Sequence, residues 1–162
     1  MNKDKVVFIT GAASGIGYEI GLEFAKEGAK VAFSDMNEEK LNEVVKNLVA
    51  EGYDCIGVKC DVTNEEEIKQ AIDQTVEQYG RLDVLVNNAG MQHVALLEDF
   101  PSEKFELMTK IMLGAAFMAI KHVMPLMKEQ KFGRIINTAS INGVIGFAGK
   151  SAYNSAKHGL IG

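Results

Sequence analysis

Val6-Val7-Phe8-Ile9-Thr10-Gly11-Ala12-Ala13-Ser14-Gly15-Ile16-Gly17 is the stretch on which the reading of this chain turns. Its four continuous apolar residues, Val6 to Ile9, have the pattern of a strand buried on both faces. They run straight into a glycine-rich turn, after which apolar residues recur at helical spacing from Ile16. A strand, a glycine turn and a helix in that order let backbone N–H groups and the positive end of the helix dipole approach a pyrophosphate. Gly11, Ser14, Gly15, Ile16 and Gly17 are the candidates for that contact.

Outward from this turn, strand-like runs continue at Lys30–Ser34, Cys55–Cys60, Leu82–Asn87 and Arg134–Thr138. Helical patterns fill the gaps at Ile16–Lys26, Glu38–Ala50 and Glu65–Gln78, and a longer helix is expected from near Ser102 to about Lys128, with Pro125 as a possible kink. Gly28, Gly52 and Gly80 stand where helices should stop, and Asn37 and Thr63 or Asn64 where two of them should begin. Strands alternating with helices predict an α/β fold, a Rossmann-type doubly wound parallel sheet, and the glycine turn within it points to one NAD(P)-binding unit over residues 1–162.

Open parallel sheets bind ligands at the carboxyl ends of their strands, and polar groups gather there. Asp35 follows the second strand, 18 residues beyond Gly17, where a carboxylate meets the ribose hydroxyls of an adenosine. The same charge repels a 2′-phosphate, and neither Ser14 nor Met36 is a base that could accept one, so NAD is expected over NADP. Asp61 and Val62 follow the third strand, and Asn88, Ala89 and Gly90 the fourth, with residues small enough for a flat ligand to approach the backbone.

A second cluster lies after the fifth strand. Tyr153 and Lys157 are four residues apart in a segment able to form a helix, which puts them on one face. An ammonium beside a phenol favours the phenolate, the form able to accept a proton. Ser140, 13 residues earlier, could hydrogen-bond a carbonyl or alcohol oxygen held beside Tyr153.

In that order and at those intervals, Thr10–Gly17, Asn87–Gly90, Ser140 and Tyr153–Lys157 resemble the short-chain dehydrogenase/reductase family over the whole chain. The resemblance implies NAD held by Gly11 to Gly17, Asp35, Asp61, Val62 and Asn88, with Lys157 reaching the nicotinamide ribose. It implies Tyr153 as general acid/base and Ser140 as the hydroxyl that orients substrate, and a homotetramer for the complete protein. Within the family, Asn88–Val94, Gly149–Tyr153 and Ala156–Gly159 look most like the members that oxidise D-3-hydroxybutyrate. There, residues matching Gln92 and Lys150 hold the carboxylate of a small hydroxy acid, and the position of Asn142 belongs to the substrate pocket. Two positions depart from the pattern. Met112 stands where the family carries a catalytic Asn, and Asn142 where some hydroxybutyrate-oxidising members have a His.

Composition removes several other classes. With 47% hydrophobic and 24% charged residues and a formal charge of −5, the chain offers no basic surface for nucleic acid. Its apolar runs are interrupted short of the ~18 residues that span a bilayer, the longest ending at Lys121 and His122, and no secretory leader is evident, so a cytoplasmic protein is expected. Three scattered histidines show no metal-ligand spacing, and no metal is expected. Cys55 and Cys60, five residues apart on one strand, should face opposite sides of the sheet and remain unpaired. Family members continue past the Tyr–Lys helix into further strands and a substrate-covering loop. Since the sequence ends at Gly162, the fifth strand should be an open edge and the 162-residue chain catalytically silent by itself.

Overall fold

The computed structural model describes residues 2–162. Five strands, β1 (Val6–Thr10), β2 (Lys30–Asp35), β3 (Cys55–Lys59), β4 (Val84–Asn87) and β5 (Arg134–Asn137), form one parallel sheet in the order β3-β2-β1-β4-β5. The helices are α1 (Gly15–Lys26), α2 (Glu38–Ala50), α3 (Glu65–Tyr79), α4 (Ser102–Thr109), α5 (Ala115–Gln130) and α6 (Ser151–Ile161). The strand order reverses direction between β1 and β4, which opens a crevice at their carboxyl ends.

Both faces of the sheet are covered, as the unbroken apolar strands require. Val7, Ile9, Val31, Phe33 and Val86 pack in one layer with Leu41 and Leu48 of α2 and Ala25 of α1. Phe8, Ala32, Val58 and Leu85 pack in the other with Ile68 and Ile72 of α3 and Ala119 and Val123 of α5. The two cysteines divide between these layers, Cys55 in the first and Cys60 in the second, and both are free. Burial, with Asp54 and Glu67 adding to it, pushes Cys55 up to about 11 and Cys60 up to about 12, which leaves both as inert thiols. β5 lies at an edge of the sheet with Ile136 exposed.

The helix ends follow local chemistry. The Asn37 side chain accepts from Lys40 N, and Asn64, rather than Thr63, accepts from Glu66 N and Glu67 N. The long helix is less regular than expected. It continues through Pro125 to Gln130, but a π turn at Lys110–Gly114 separates α4 from α5. By length and composition the 29-residue run Ser102–Gln130 could cross a bilayer. Its uninterrupted apolar stretches are nevertheless short, the longest ending at Lys121 and His122. In the fold part of its apolar surface meets protein, through Met108 and Met112 on α6 and through Ala119, Val123 and Met127 on the sheet and α3, while Phe105, Leu107 and Phe117 are exposed.

Asp83, fully buried before β4, ties the amino end of the sheet together. Its carboxylate accepts from Arg81 at 2.8 and 2.7 Å and from Val6 N at 3.0 Å, with Lys5 Nζ 3.8 Å away. Burial acts to raise its pKa, but the Arg81 guanidinium, the Val6 N–H and Lys5 outweigh burial and hold it below the usual carboxylate value. A carboxylate depressed in the folded state contributes stability above its unfolded pKa and loses it as pH falls through the folded one. Urea midpoints should therefore fall on acidification from about pH 4. Asp83→Asn should start less stable at pH 7 and show a shallower fall; parallel curves for the two proteins would remove Asp83 from this role.

Candidate active site

The glycine turn is built around contacts that no larger residue could make. A Cβ on Gly17 would sit 2.4 Å from Gly11 O and 2.5 Å from Asn88 Nδ2. Gly11 has φ +64 and lies under Ala89, where an added Cβ would come 2.9 Å from Ala89 Cα. Ser14 caps α1 without a side-chain hydrogen bond, and Ser14, Gly15 and Ile16 are exposed. The first N–H groups of α1 thus lie beside a bare backbone surface, the arrangement that receives a phosphate.

Asp35 stands beside this turn. Its Oδ2 accepts from Ala13 N at 3.1 Å and its Oδ1 from Asn37 N at 2.9 Å. The carboxylate therefore helps hold the glycine turn against the end of β2 and places negative charge there. Asp61 Oδ1 accepts from Thr63 N at 2.8 Å, closing a turn after β3, and Val62 packs on the α3–α5 layer.

Asn88 links three strand ends. Its Nδ2 donates to Thr10 O and Gly11 O, both at 3.1 Å, its N–H donates to Thr10 Oγ1 at 3.0 Å, and its Oδ1 accepts from Thr138 Oγ1 at 3.4 Å. Thr10 Oγ1 also accepts from Ala89 N at 3.0 Å. Thr138 O in turn accepts from Lys157 Nζ. One hydrogen-bonded path therefore runs from the glycine turn to the lysine singled out in the sequence.

Tyr153 and Lys157 do share a face of α6. Lys157 is 4% exposed, its Nζ lies 5.6 Å from the Tyr153 ring centroid, and burial lowers its pKa. Both line a cleft of about 280 Å³ with Ile16, Asn88, Gln92 and Met112. Met112 lies within the π turn and is buried; its side chain has no hydrogen to donate. The cleft thus joins the start of α1 to the Tyr–Lys pair.

The remaining residues divide. Ser140 begins a short 3₁₀ turn, Ile141–Gly143, and its Oγ accepts from Asn142 N at 3.2 Å and donates to Asn142 Oδ1 at 3.4 Å. Asn142 itself is 5% exposed, and its Nδ2 donates to Asn154 Oδ1 at 3.1 Å, so its amide is engaged inside the protein. Gln92 reaches the cleft, whereas Lys150 sits at the start of α6 outside that lining, its ammonium 5.8 Å from the Phe147 ring. Sequence reasoning passed over Thr10, Thr138 and Asn154. Asn154 carried a signal, since it lies inside the Tyr153–Lys157 motif; the two threonines are visible only as strand-end hydroxyls.

Comparison with known proteins fits this geometry. The pattern of the family described as short chain dehydrogenase matches residues 5–162. An uncharacterized oxidoreductase of Bacillus subtilis is 55% identical over 160 residues, which cover 99% of this chain and 62% of that protein. A 3-oxoacyl-[acyl-carrier-protein] reductase of Thermotoga maritima is 40% identical, covering 98% and 64%. A D-beta-hydroxybutyrate dehydrogenase of Cupriavidus necator is 37% identical, covering 100% and 63%. The crystal structure of a short chain dehydrogenase/reductase from Burkholderia phymatum in complex with NAD superposes with a TM-score of 0.95 at 29% identity, covering 98% of this chain and 57% of that one. The chain spans a little under two thirds of the length of the relatives it matches.

Asn88→Ala removes three side-chain hydrogen bonds and should destabilise the fold by about 2–4 kcal/mol, at roughly 1 kcal/mol for each bond plus the cost of carbonyls left unpaired. Asn88→Asp should be at least as damaging at pH 7, because it aims a carboxylate at Thr10 O and Gly11 O. Urea denaturation measures both, and an Asn88→Asp protein as stable as the parent would show that the amide is not the donor.

Proposed function

The chain belongs to the short-chain dehydrogenase family, and on that premise we propose that it carries the NAD site and proton-transfer site of an oxidoreductase that interconverts D-3-hydroxybutyrate and acetoacetate. The observation that carries this reading is that Tyr153 and Lys157, one helical turn apart, line the same cleft as Ile16 at the start of the glycine-turn helix.

The residues suit a dinucleotide. Glycines whose Cβ atoms would strike backbone or Asn88, with open N–H groups at the start of α1, would hold the pyrophosphate. Asp35 would face the adenosine ribose, and Asp61, Val62 and Asn88 to Gly90 would border the adenine and nicotinamide halves. When bound, the nicotinamide supplies the two-electron acceptor for oxidation of an alcohol. Tyr153 accepts the hydroxyl proton in that direction and returns it in the reverse one. Lys157, held by Thr138 O, places a positive charge where the phenol oxygen becomes negative and would also reach the nicotinamide ribose. Ser140 donates to the substrate oxygen and fixes its approach.

For the substrate, Gln92 in the cleft and Lys150, just before α6, would offer an amide and a cation to a small carboxylate. The resemblance to hydroxybutyrate-oxidising members supports that choice. A second reading, reduction of a 3-oxoacyl thioester, is favoured by the reductase relative at 40% identity and by the placement of Lys150 outside the cleft lining. In either case the complete protein is read as a cytoplasmic homotetramer, with the exposed Phe105, Leu107 and Phe117 of α4–α5 and the α6 helix as contact surfaces.

The intact protein should bind NADH more tightly than NADPH in fluorescence titration, because Asp35 repels a 2′-phosphate; equal or tighter NADPH binding overturns the cofactor assignment.

With NAD and D-3-hydroxybutyrate, Tyr153→Phe should lower kcat by about 10²–10⁴-fold with cofactor affinity preserved. Lys150→Ala should raise KM for the acid by about tenfold or more, the worth of a charged hydrogen bond, while leaving a neutral alcohol of similar size unaffected. Preference for the neutral alcohol in the unsubstituted protein would reject the carboxylate pocket.

A further inference from the structure

Asn154 is positioned between the two groups of the proposed chemistry without belonging to either. It lies in the first turn of α6, next to Tyr153, and all its recorded side-chain bonds leave that helix. Its Nδ2 donates to Phe147 O at 2.8 Å, and its Oδ1 accepts from Phe147 N at 3.3 Å and from Asn142 Nδ2 at 3.1 Å. The paired contacts with both backbone groups of Phe147 permit one orientation of the Asn154 amide. That orientation presents oxygen to Asn142, which must answer with its NH₂ group. The Asn142 oxygen is thereby turned toward Ser140, where it accepts from Oγ at 3.4 Å while Asn142 N donates to the same Oγ at 3.2 Å.

The orientation of a serine hydroxyl is thus dictated from a backbone position seven residues away, through two amides of which one is 95% buried, Asn142 being 5% exposed. The bond from Ser140 Oγ to Asn142 is long, so its proton can be released to a substrate oxygen at little cost, while the N–H from Asn142 keeps the oxygen in place. The Phe147 contacts serve a second purpose. The segment from Val144 to Phe147 carries three exposed apolar side chains, Val144, Ile145 and Phe147, and the Asn154 amide ties it to α6. Its far end is held by Ala95 N, which donates to Gly149 O at 3.0 Å.

We propose that Asn154 is a positioning residue that acts in two directions, aiming the Ser140 hydroxyl through Asn142 and fastening the 144–149 segment to the helix that bears Tyr153. This rests on the oxidoreductase reading for its effect on turnover but not for its effect on the segment. Asn142 belongs to the first branch alone and so separates the two.

The experiment compares Asn142→Ala, Asn154→Ala, Ser140→Ala and the Ser140→Ala/Asn142→Ala double variant in the intact protein. Turnover is read with NAD and D-3-hydroxybutyrate, and limited chymotrypsin cleavage after Phe147 is followed by mass spectrometry. Asn142→Ala should lower kcat by about tenfold with KM unchanged within about twofold, the signature of lost orientation, and should leave cleavage at the parent rate. It should have no further effect in the Ser140→Ala background, as expected of a group acting only through Ser140. Asn154→Ala should lower kcat similarly, raise KM, and hasten cleavage after Phe147 severalfold. Asn142→Ala lowering kcat equally with and without Ser140, or Asn154→Ala leaving cleavage unchanged, overturns the proposal. Normal turnover in Ser140→Ala, or none in the parent, counts instead against the functional reading, and cleavage then decides the role of Asn154.

Discussion

The centre of this sheet's carboxyl edge, where β1, β4 and β5 end side by side, depends on one primary amide. The Asn88 side chain has two hydrogens and one oxygen to offer, and it spends them on the ends of two other strands: β1 through Thr10 and Gly11, and β5 through Thr138. It does so from the end of β4, the strand that lies between them. Backbone carbonyls at strand ends have no ladder partner and, when removed from water, must find a donor elsewhere. Asn88 supplies it, and in doing so forces Gly17 to lack a side chain, because its Nδ2 occupies the space a Cβ would need. The glycine pattern is thus partly a record of the asparagine.

The same edge carries a buried charge that is sparingly paired. Lys157 is buried with one recorded hydrogen-bond partner, the Thr138 carbonyl, and its pKa is lowered because burial disfavours the charged form. Contrast Asp83 at the opposite end of the sheet, where a bidentate guanidinium and a backbone N–H overcome the same penalty. A chain selected for stability alone would satisfy both charges equally well. The disparity follows the division of labour in parallel sheets, whose amino ends hold the structure and whose carboxyl ends meet ligands.

Much of this was legible in residue order. Unbroken apolar runs announced strands covered on both faces, the odd spacing of Cys55 and Cys60 sent them to opposite layers, and Asn37 and Asn64 capped helices as short polar side chains do. These are local or periodic signals. What escaped were contacts between distant segments and between groups of ambiguous type. Asn142 reads as a pocket residue by position, yet its amide is committed to Ser140 and Asn154. Thr138 meets Asn88 through its hydroxyl but holds Lys157 through its carbonyl, which every residue has and no side-chain pattern can advertise. The π turn was equally silent, since Lys110–Gly114 contains nothing that forbids an ordinary helix.

That π turn has a geometric consequence for the helix around it. Each residue of an α-helix advances the side chains by about 100°, and a π turn accommodates roughly one additional residue, so it resets their angular phase by about that amount. Met108 before the reset and Met112 within it meet Ala152 and Ala156 of α6, while Ala115, Ala119, Val123 and Met127 after it meet the sheet and α3. Ser102–Gln130 is therefore two amphipathic rods joined out of step. Averaged along the run, their apolar residues make up a segment fit for a bilayer, although in the fold each rod buries one stripe and leaves Phe105, Leu107 and Phe117 exposed. Removing one residue between Lys110 and Gly114 would bring the rods into step, and with them turn the floor of the Tyr153 cleft, where Met112 lies, away from α6.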